Sequence, residues 1–253
     1  MALRALLWDV DGTLAETEIH GHREAYNVAF RAAGLPWQWD VSTYRELLAV
    51  SGGRERLRHF FRLVGQGSAV DDQVEWLMVT KQRAYADLAR QGALTLRPGV
   101  ERLVAAAAAR GWGQALVTTS SRSAVEALLA GQPPAVASAF AFWICGEDVT
   151  AKKPSPEGYR RALERLDLSP REGLALEDSP QGLASALAAD LPCVLTLAEG
   201  ADHQGGGAAW WHRATAVVDH LGEDDRPMRL IQGPPCCSSV VTPSWLAGLL
   251  EAG

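Results

Sequence analysis

Asp9 and Asp11 stand one residue apart in LRALLWDVDGTLAET, residues 3–17, directly after the apolar run Ala5 to Trp8 and before Gly12. Paired acids at the end of an apolar segment can divide labour: one carboxylate attacks while the other moves protons. Polar groups end other apolar runs too. Thr118 follows GQALV, Glu147, Asp148, Lys152 and Lys153 follow FAFWIC, and Glu177 and Asp178 follow GLAL. Asp9, Asp11, Glu177 and Asp178 would repel one another unless a cation offsets them. Oxygen donors without His or Cys favour Mg2+ over Zn2+. A lysine and a hydroxyl beside such a metal suit a phosphoryl group whose charge must be stabilised in the transition state. The chemistry expected is phosphoryl transfer through an aspartyl-phosphate, with a second carboxylate serving the leaving oxygen and then the attacking water.

These groups converge only if the runs that carry them are strands of one sheet. Strand and helix alternate along much of the chain. Arg4 to Trp8, QALVTTS, FAFWICGED, GLALEDS and CVLTL read as strands, and TAVVDHL as a last short one. Helices are expected over Val100 to Arg110, Ser123 to Ala130, Pro156 to Leu166 and Pro180 to Ala189. This rhythm predicts an α/β fold with a doubly wound, Rossmann-like parallel sheet, whose ligands sit outside the carboxyl ends of the strands. Four helices interrupt it after the first strand: His22 to Gly34, Thr43 to Val50, Arg54 to Leu63 and Asp71 to Gln91. They read as an inserted all-helical domain. The expected division is a discontinuous catalytic core of residues 1–15 and 93–253 with a helical cap of residues 16–92. The Gly-, Pro- and Trp-rich tail, Gln204 to Gly253, shows no clear organisation, and its Gly205 to Gly207 run lacks the G-K-[ST] of a phosphate-binding loop.

Composition narrows the function classes. The chain has 253 residues, 47% hydrophobic and 21% charged, with a formal charge of -6, which argues against a nucleic-acid partner. No apolar run reaches the roughly 18 residues of a membrane span, and MALRALLWD has no signal-peptide cleavage pattern. Cys145, Cys193, Cys236 and Cys237 show no C-x-x-C spacing and read as reduced thiols. A cytoplasmic monomer with a small-molecule substrate is expected.

The motifs together resemble those of the haloacid dehalogenase superfamily. DVDGTL at Asp9 to Leu14 resembles its first motif, the strand ending at Thr118 its second, Lys153 in KKPSPEGY its third, and LEDSPQG at Leu176 to Gly182 its fourth. The resemblance implies that Asp9 is the nucleophile and that Asp11 is the general acid/base, its backbone carbonyl also offered to Mg2+. It implies that Thr118 and Lys153 hold the phosphoryl group, that Asp178 with Glu177 nearby completes the metal site, and that the insertion is a type-one cap.

Within that superfamily AETE, HREAYN, WQWD and YRELLAVSGGRERLRHF are similar to the CbbY-like branch, close to β-phosphoglucomutases and phosphoglycolate phosphatases. That branch is associated with carbon fixation and includes phosphatases of xylulose 1,5-bisphosphate, the substrate the resemblance suggests. Mutase and phosphoglycolate phosphatase activities are the alternatives, and a non-catalytic binding protein has no reason to keep a nucleophile. Expected substrate contacts are Glu16 in the hinge, His22, Gly53 and Arg54 in the cap loop, and Thr119 and Arg122 after the second motif. A bisphosphate needs a second anion site, for which Arg54 beside two glycines is suited. On a solvated helix face Arg54 and Arg58 would instead pair with Glu55 or Glu101. His20 and His22 compete for one position, and HREAYN favours His22. Trp37, Trp39, Trp210 and Trp211 read as packing, Lys152 as a solvated neighbour of Lys153, and Glu147 and Asp148 as support for the lysine loop.

Overall fold

Strand β1 (Ala5–Trp8) is buried at every position, as a central parallel strand covered on both faces must be. The computed structural model describes residues 2–66, 71–197 and 210–251. Among the described residues six further strands are β2 (Gly113–Val117), β3 (Phe142–Ile144), β4 (Gly173–Glu177), β5 (Cys193–Thr196), β6 (Ala216–Val218) and β7 (Leu230–Gln232). They lie in the order β3-β2-β1-β4-β5-β6-β7, all parallel except β7, which pairs antiparallel to β6. The expected doubly wound α/β sheet is therefore present, parallel as expected except for the antiparallel β7 at its edge.

Register decides where the chemistry converges. Trp8 lies opposite Leu116 of β2 and opposite Leu176 of β4. The next residue of each strand or turn, Asp9, Val117 and Glu177, therefore leaves the sheet at one level. The Asp9 amide donates to the Leu176 carbonyl at 2.9 Å, so the chain is still held by β4 as it turns. Gly12 makes that turn with φ of +83°, and a Cβ there would overlap the Asp178 carboxylate.

The sheet is covered by α5 (Val100–Ala109), α6 (Arg122–Ala130), α7 (Pro134–Ala137), α8 (Glu157–Leu166), α9 (Pro180–Ala188) and α10 (Pro243–Glu251). Ser121 and Ser179 cap α6 and α9 by accepting from Ala124 and Gly182 amides. Between β1 and α5 come α1 (Glu24–Ala32), α2 (Val41–Leu47), α3 (Gly53–Leu63) and α4 (Asp71–Arg90). Asp40 caps α2 through the Thr43 amide at 2.7 Å. The helix expected from His22 begins differently. Glu18–Arg23 forms a π-helical turn in which the His22 amide reaches the Thr17 carbonyl at 2.7 Å. Such wide turns concentrate at functional sites because they re-aim side chains.

The helical insertion has an apolar cluster of its own, with Tyr26, Phe30, Trp39, Tyr44, Phe60 and Phe61 at its centre. Trp39 meets Phe30 edge-on at 4.9 Å, and its backbone is held from both sides by the Asn27 amide. Trp37 packs on Phe60 and Phe61. The insertion is not wholly separate: Ala25, Ala84, Tyr85 and Ala89 join the cluster under the sheet.

The tail is more ordered than its composition suggests. Arg102 on α5 donates to the carbonyls of Leu221, Gly222 and Val241 at 2.8–3.2 Å, pinning the chain that leads to α10. Trp210 and Trp211 pack against the second sheet cluster, and the Gly205 to Gly207 run lies outside the described residues. No helix among the described residues is long and apolar enough to cross a membrane.

Phe30 is fully buried among aromatic rings, so Phe30→Ala should cost about 3–5 kcal/mol. Urea unfolding measures this; a loss under about 1 kcal/mol would mean that the insertion's cluster contributes little to stability.

Candidate active site

A cavity of about 520 Å³ opens at the carboxyl end of β1, between the sheet and the helical insertion. Asp9, Asp11, Lys153 and Asp178 form its floor, and residues of α1, α3 and α4 face them across it. The loop after β3 brings Lys153 back over the strand ends. Its Nζ donates to Asp9 Oδ1 at 2.5 Å, to the Val117 carbonyl at 2.7 Å and to Glu177 Oε1 at 2.6 Å. Burial works against this ammonium, but Asp9 and Glu177 outweigh it and keep it charged.

Asp9, Glu177 and Asp178 each offer an oxygen within 4.8 Å of the others. Burial, with Glu177 and Asp11 nearby, raises the Asp9 carboxyl above its ordinary range, although Lys153 pulls the other way. Burial and the Asp9 and Glu177 charges raise Asp178 likewise. Three carboxylates gathered beside one ammonium, which bonds only Asp9 and Glu177 among them, leave negative charge to offset. The donor set is oxygen alone, so the residues present fit a hard divalent cation such as Mg2+.

Asp11 turns away from that group. Its Oδ1 accepts from Thr17 Oγ1 at 2.6 Å and lies 2.8 Å from His22 Nε2, and its Oδ2 accepts from Ser120 Oγ at 2.5 Å. Burial would raise the Asp11 carboxyl, but His22, Ser120 and Thr17 hold it well below the usual carboxylate range. His22 is held in turn. Lys81 Nζ lies 2.7 Å from its Nδ1, and Tyr85 stacks on the ring at 4.4 Å. A charged lysine has only donors, so where Lys81 is charged Nδ1 accepts from it and Nε2 is left to donate a hydrogen bond to Asp11.

The sequence-expected residues fall into two groups. Glu16, His22, Gly53, Arg54 and Thr119 line the cavity. His22 faces it while His20 is exposed, which separates the two candidates. Glu16 is already engaged 3.0 Å from Arg97, a buried guanidinium that also reaches the Gly12 carbonyl and so ties the two linkers of the insertion to the strand ends. Arg54 forks onto Glu75 at 2.7 and 2.9 Å, and Arg58 pairs with Asp71, rather than either taking Glu55 or Glu101. Arg122 does not enter the cavity: it is drawn to Asp148 at 2.6 Å and lies over the Trp143 ring. Thr118 and Glu177 are buried just beneath the floor, Thr118 Oγ1 accepting from the Ser120 amide at 3.0 Å. Lys152 is not merely solvated. It spans the cavity mouth to Glu55 at 3.1 Å, and Gln181 reaches the Ala49 carbonyl beside it.

Sequence reasoning did not reach Thr17, Lys81, Tyr85, Arg97 or Ser120. Only Ser120 carried a usable signal, since it lies within the hydroxyl run after Val117; Lys81 and Tyr85 look like ordinary positions of an amphipathic helix.

Comparison with known proteins identifies the family of the chain. A family model for haloacid dehalogenase-like hydrolases matches residues 3–190. The chain is 39% identical over 231 residues to the plasmid-borne protein CbbY of Cupriavidus necator, covering 89% of each. The chain belongs to the haloacid dehalogenase-like hydrolases, in their CbbY-like branch. Protein CbbY of Rhodobacter capsulatus is 44% identical over 201 residues, covering 79% of this chain and 87% of the relative. The crystal structure of a CbbY mutant from Rhodobacter sphaeroides, in complex with xylulose-(1,5)bisphosphate, superposes with a TM-score of 0.78 at 38% identity, covering 87% of this chain and 96% of that one. The reading of the chain as an enzyme, a phosphatase of this family, stands with these findings.

Lys81 gives a pH signature. Burial lowers its ammonium from the ordinary 10.5 to about 8, against the raising effect of Asp11 and Glu18. The unfolded chain therefore binds the proton more tightly between those values. Relative to Lys81→Met, the wild type should gain stability as pH rises from 8 to 10.5, by about 1.4 kcal/mol per pH unit. Parallel urea-unfolding curves for the two proteins across that range would contradict it.

Proposed function

We propose that the protein is a Mg2+-dependent phosphatase that hydrolyses a small phosphorylated sugar through an aspartyl-phosphate on Asp9. Xylulose 1,5-bisphosphate is the favoured substrate. The observation that carries this reading is the Asp9 carboxylate at the cavity floor, bonded to Lys153 beside Glu177 and Asp178, with Asp11 separately held nearby. The substrate is supported by the CbbY relatives and by the xylulose-(1,5)bisphosphate complex of one of them.

In this mechanism an Asp9 oxygen attacks phosphorus as the bond to the sugar oxygen breaks, and Asp11 gives that oxygen a proton. Water then attacks phosphorus, Asp11 takes its proton, and the bond to Asp9 breaks to release phosphate. The donors around Asp11 favour its ionised form, the one that accepts the proton of water; for the first step Asp11 must enter the substrate complex carrying a proton, which it gives to the sugar oxygen and regains from the attacking water. The Lys153 charge steadies the phosphoryl oxygens as they displace its N–H from Asp9, with the Thr118 hydroxyl beneath the floor on the same side. Asp9, Asp178 and the Asp11 carbonyl, with Glu177 adjacent, would hold Mg2+, which supplies positive charge against the phosphoryl group. Residues 16–92 act as the cap, with Lys152–Glu55 across the mouth helping to exclude water. Arg54, released from Glu75, takes the distal phosphate.

Phosphate release from a panel of sugar phosphates, glycolate phosphate and xylulose 1,5-bisphosphate, compared by kcat/KM, tests the activity. The bisphosphate should lead and chelation of Mg2+ should stop turnover; isomer formation without phosphate release would indicate a mutase, and no turnover from the folded protein would overturn the reading. Asp9→Asn should abolish turnover while leaving the thermal transition intact. Arg54→Ala should raise KM for the bisphosphate more than for monophosphates; equal effects would remove Arg54 from the distal subsite.

A further inference from the structure

Glu177 is fully buried beneath the cavity floor, and both its oxygens are engaged. Oε1 accepts from Lys153 Nζ and from the Tyr159 hydroxyl, each at 2.6 Å. Tyr159 is itself fully buried, and its ring lies 5.3 Å from the same Lys153 Nζ. Oε2 accepts from the Asp178 amide at 3.4 Å and lies against Gly182.

Gly182 has no backbone reason to be glycine. It sits inside α9 with no positive φ, its amide bonded to the Ser179 capping hydroxyl at 3.1 Å. A helix at that position favours alanine. The space explains the residue: a Cβ on Gly182 would overlap the carboxyl carbon and both oxygens of Glu177. The Glu177 carboxyl group fills the notch that glycine leaves in the helix, with the Tyr159 hydroxyl bonded to its other oxygen.

We propose that Gly182 and Tyr159 are positioning residues which together fix the Glu177 carboxylate, and that this carboxylate in turn holds Lys153 at bonding distance from Asp9. Lys153 has three N–H groups and spends them on Asp9, Glu177 and the Val117 carbonyl. Its place is thus set by three acceptors, of which only Glu177 is a side chain outside the proposed nucleophile. If Glu177 swings out of the notch, Lys153 loses its second carboxylate and Asp9 and Asp178 lose a fixed neighbour. The inference rests on the phosphatase reading for its kinetic readout.

The test uses the full chain with Gly182→Ala, Tyr159→Phe, Glu177→Asp and the double variant Gly182→Ala/Glu177→Asp. Turnover is measured on the best substrate of the panel, and Mg2+ binding by titration calorimetry without substrate. Gly182→Ala should lower kcat about tenfold or more and weaken Mg2+ binding, with a smaller change in KM, as displaced supporting residues do. Tyr159→Phe, which removes one oxygen and keeps the ring, should move both quantities in the same direction. Shortening residue 177 withdraws the carboxylate from the notch, so Gly182→Ala should cost clearly less in the Glu177→Asp background. A purely structural effect on α9 would cost the same in both backgrounds, and that result would overturn the proposal. Wild-type kcat and Mg2+ affinity in both Gly182→Ala and Tyr159→Phe would overturn it too. If Gly182→Ala does not fold, Tyr159→Phe decides alone: an unchanged kcat contradicts the proposal. A wild type that neither turns over nor binds Mg2+ would instead remove the phosphatase reading, and this inference with it.

Discussion

One ammonium group shared between buried carboxylates is the interaction on which the site depends. Lys153 bonds Asp9 and Glu177 at once, and Asp178 stands within 4.8 Å of both acids. Burying such charges is costly unless each is paired and hydrogen-bonded. The fold meets that condition with the β2–β1–β4 register, which delivers Asp9, the Val117 carbonyl and Glu177 to one level. A slip of any of these strands would leave a charge without its partner. The residual negative charge, and the oxygen-only donors, are what make a divalent cation a chemical fit here.

Asp11 belongs to a second network that crosses from the sheet into the helical insertion. Ser120 comes from the β2–α6 loop, Thr17 from the linker, and His22 from the π-helical turn, where Lys81 of α4 orients it. The setting of Asp11 therefore depends on how the insertion sits. Contacts across the cavity mouth, Lys152 to Glu55 and Gln181 to Ala49, accompany that arrangement. In the proposed mechanism this makes the proton-transferring carboxylate depend, through His22 and Lys81, on the position of the insertion.

Much of this was legible in the sequence because it rests on short-range pattern. Fully apolar runs ending in Asp9, Thr118 and Glu177 mark buried parallel strands and the polar groups at their ends. The helices followed from apolar periodicity, whereas the caps Asp40 and Ser179 were recognised only in the structure. What was not legible depends on distant partners. Lys81 and Tyr85 look like any amphipathic helix positions until α4 is laid against His22. Arg122 looked available for substrate, yet Asp148 and Trp143 on the neighbouring loop and strand engage it. The tail is fixed by Arg102 gripping backbone carbonyls, a device that leaves no pattern in the segment gripped. Gly182 was quoted within a motif without its reason, which appears only when the Glu177 rotamer is known.

The central claim is that Asp9 itself accepts the phosphoryl group. Rapid acid quench during turnover of xylulose 1,5-bisphosphate with Mg2+, followed by peptide mass spectrometry, tests it most directly. The account predicts one added phosphoryl group on the peptide that carries Asp9. Turnover at full rate with the phosphoryl group trapped on a different residue would contradict it.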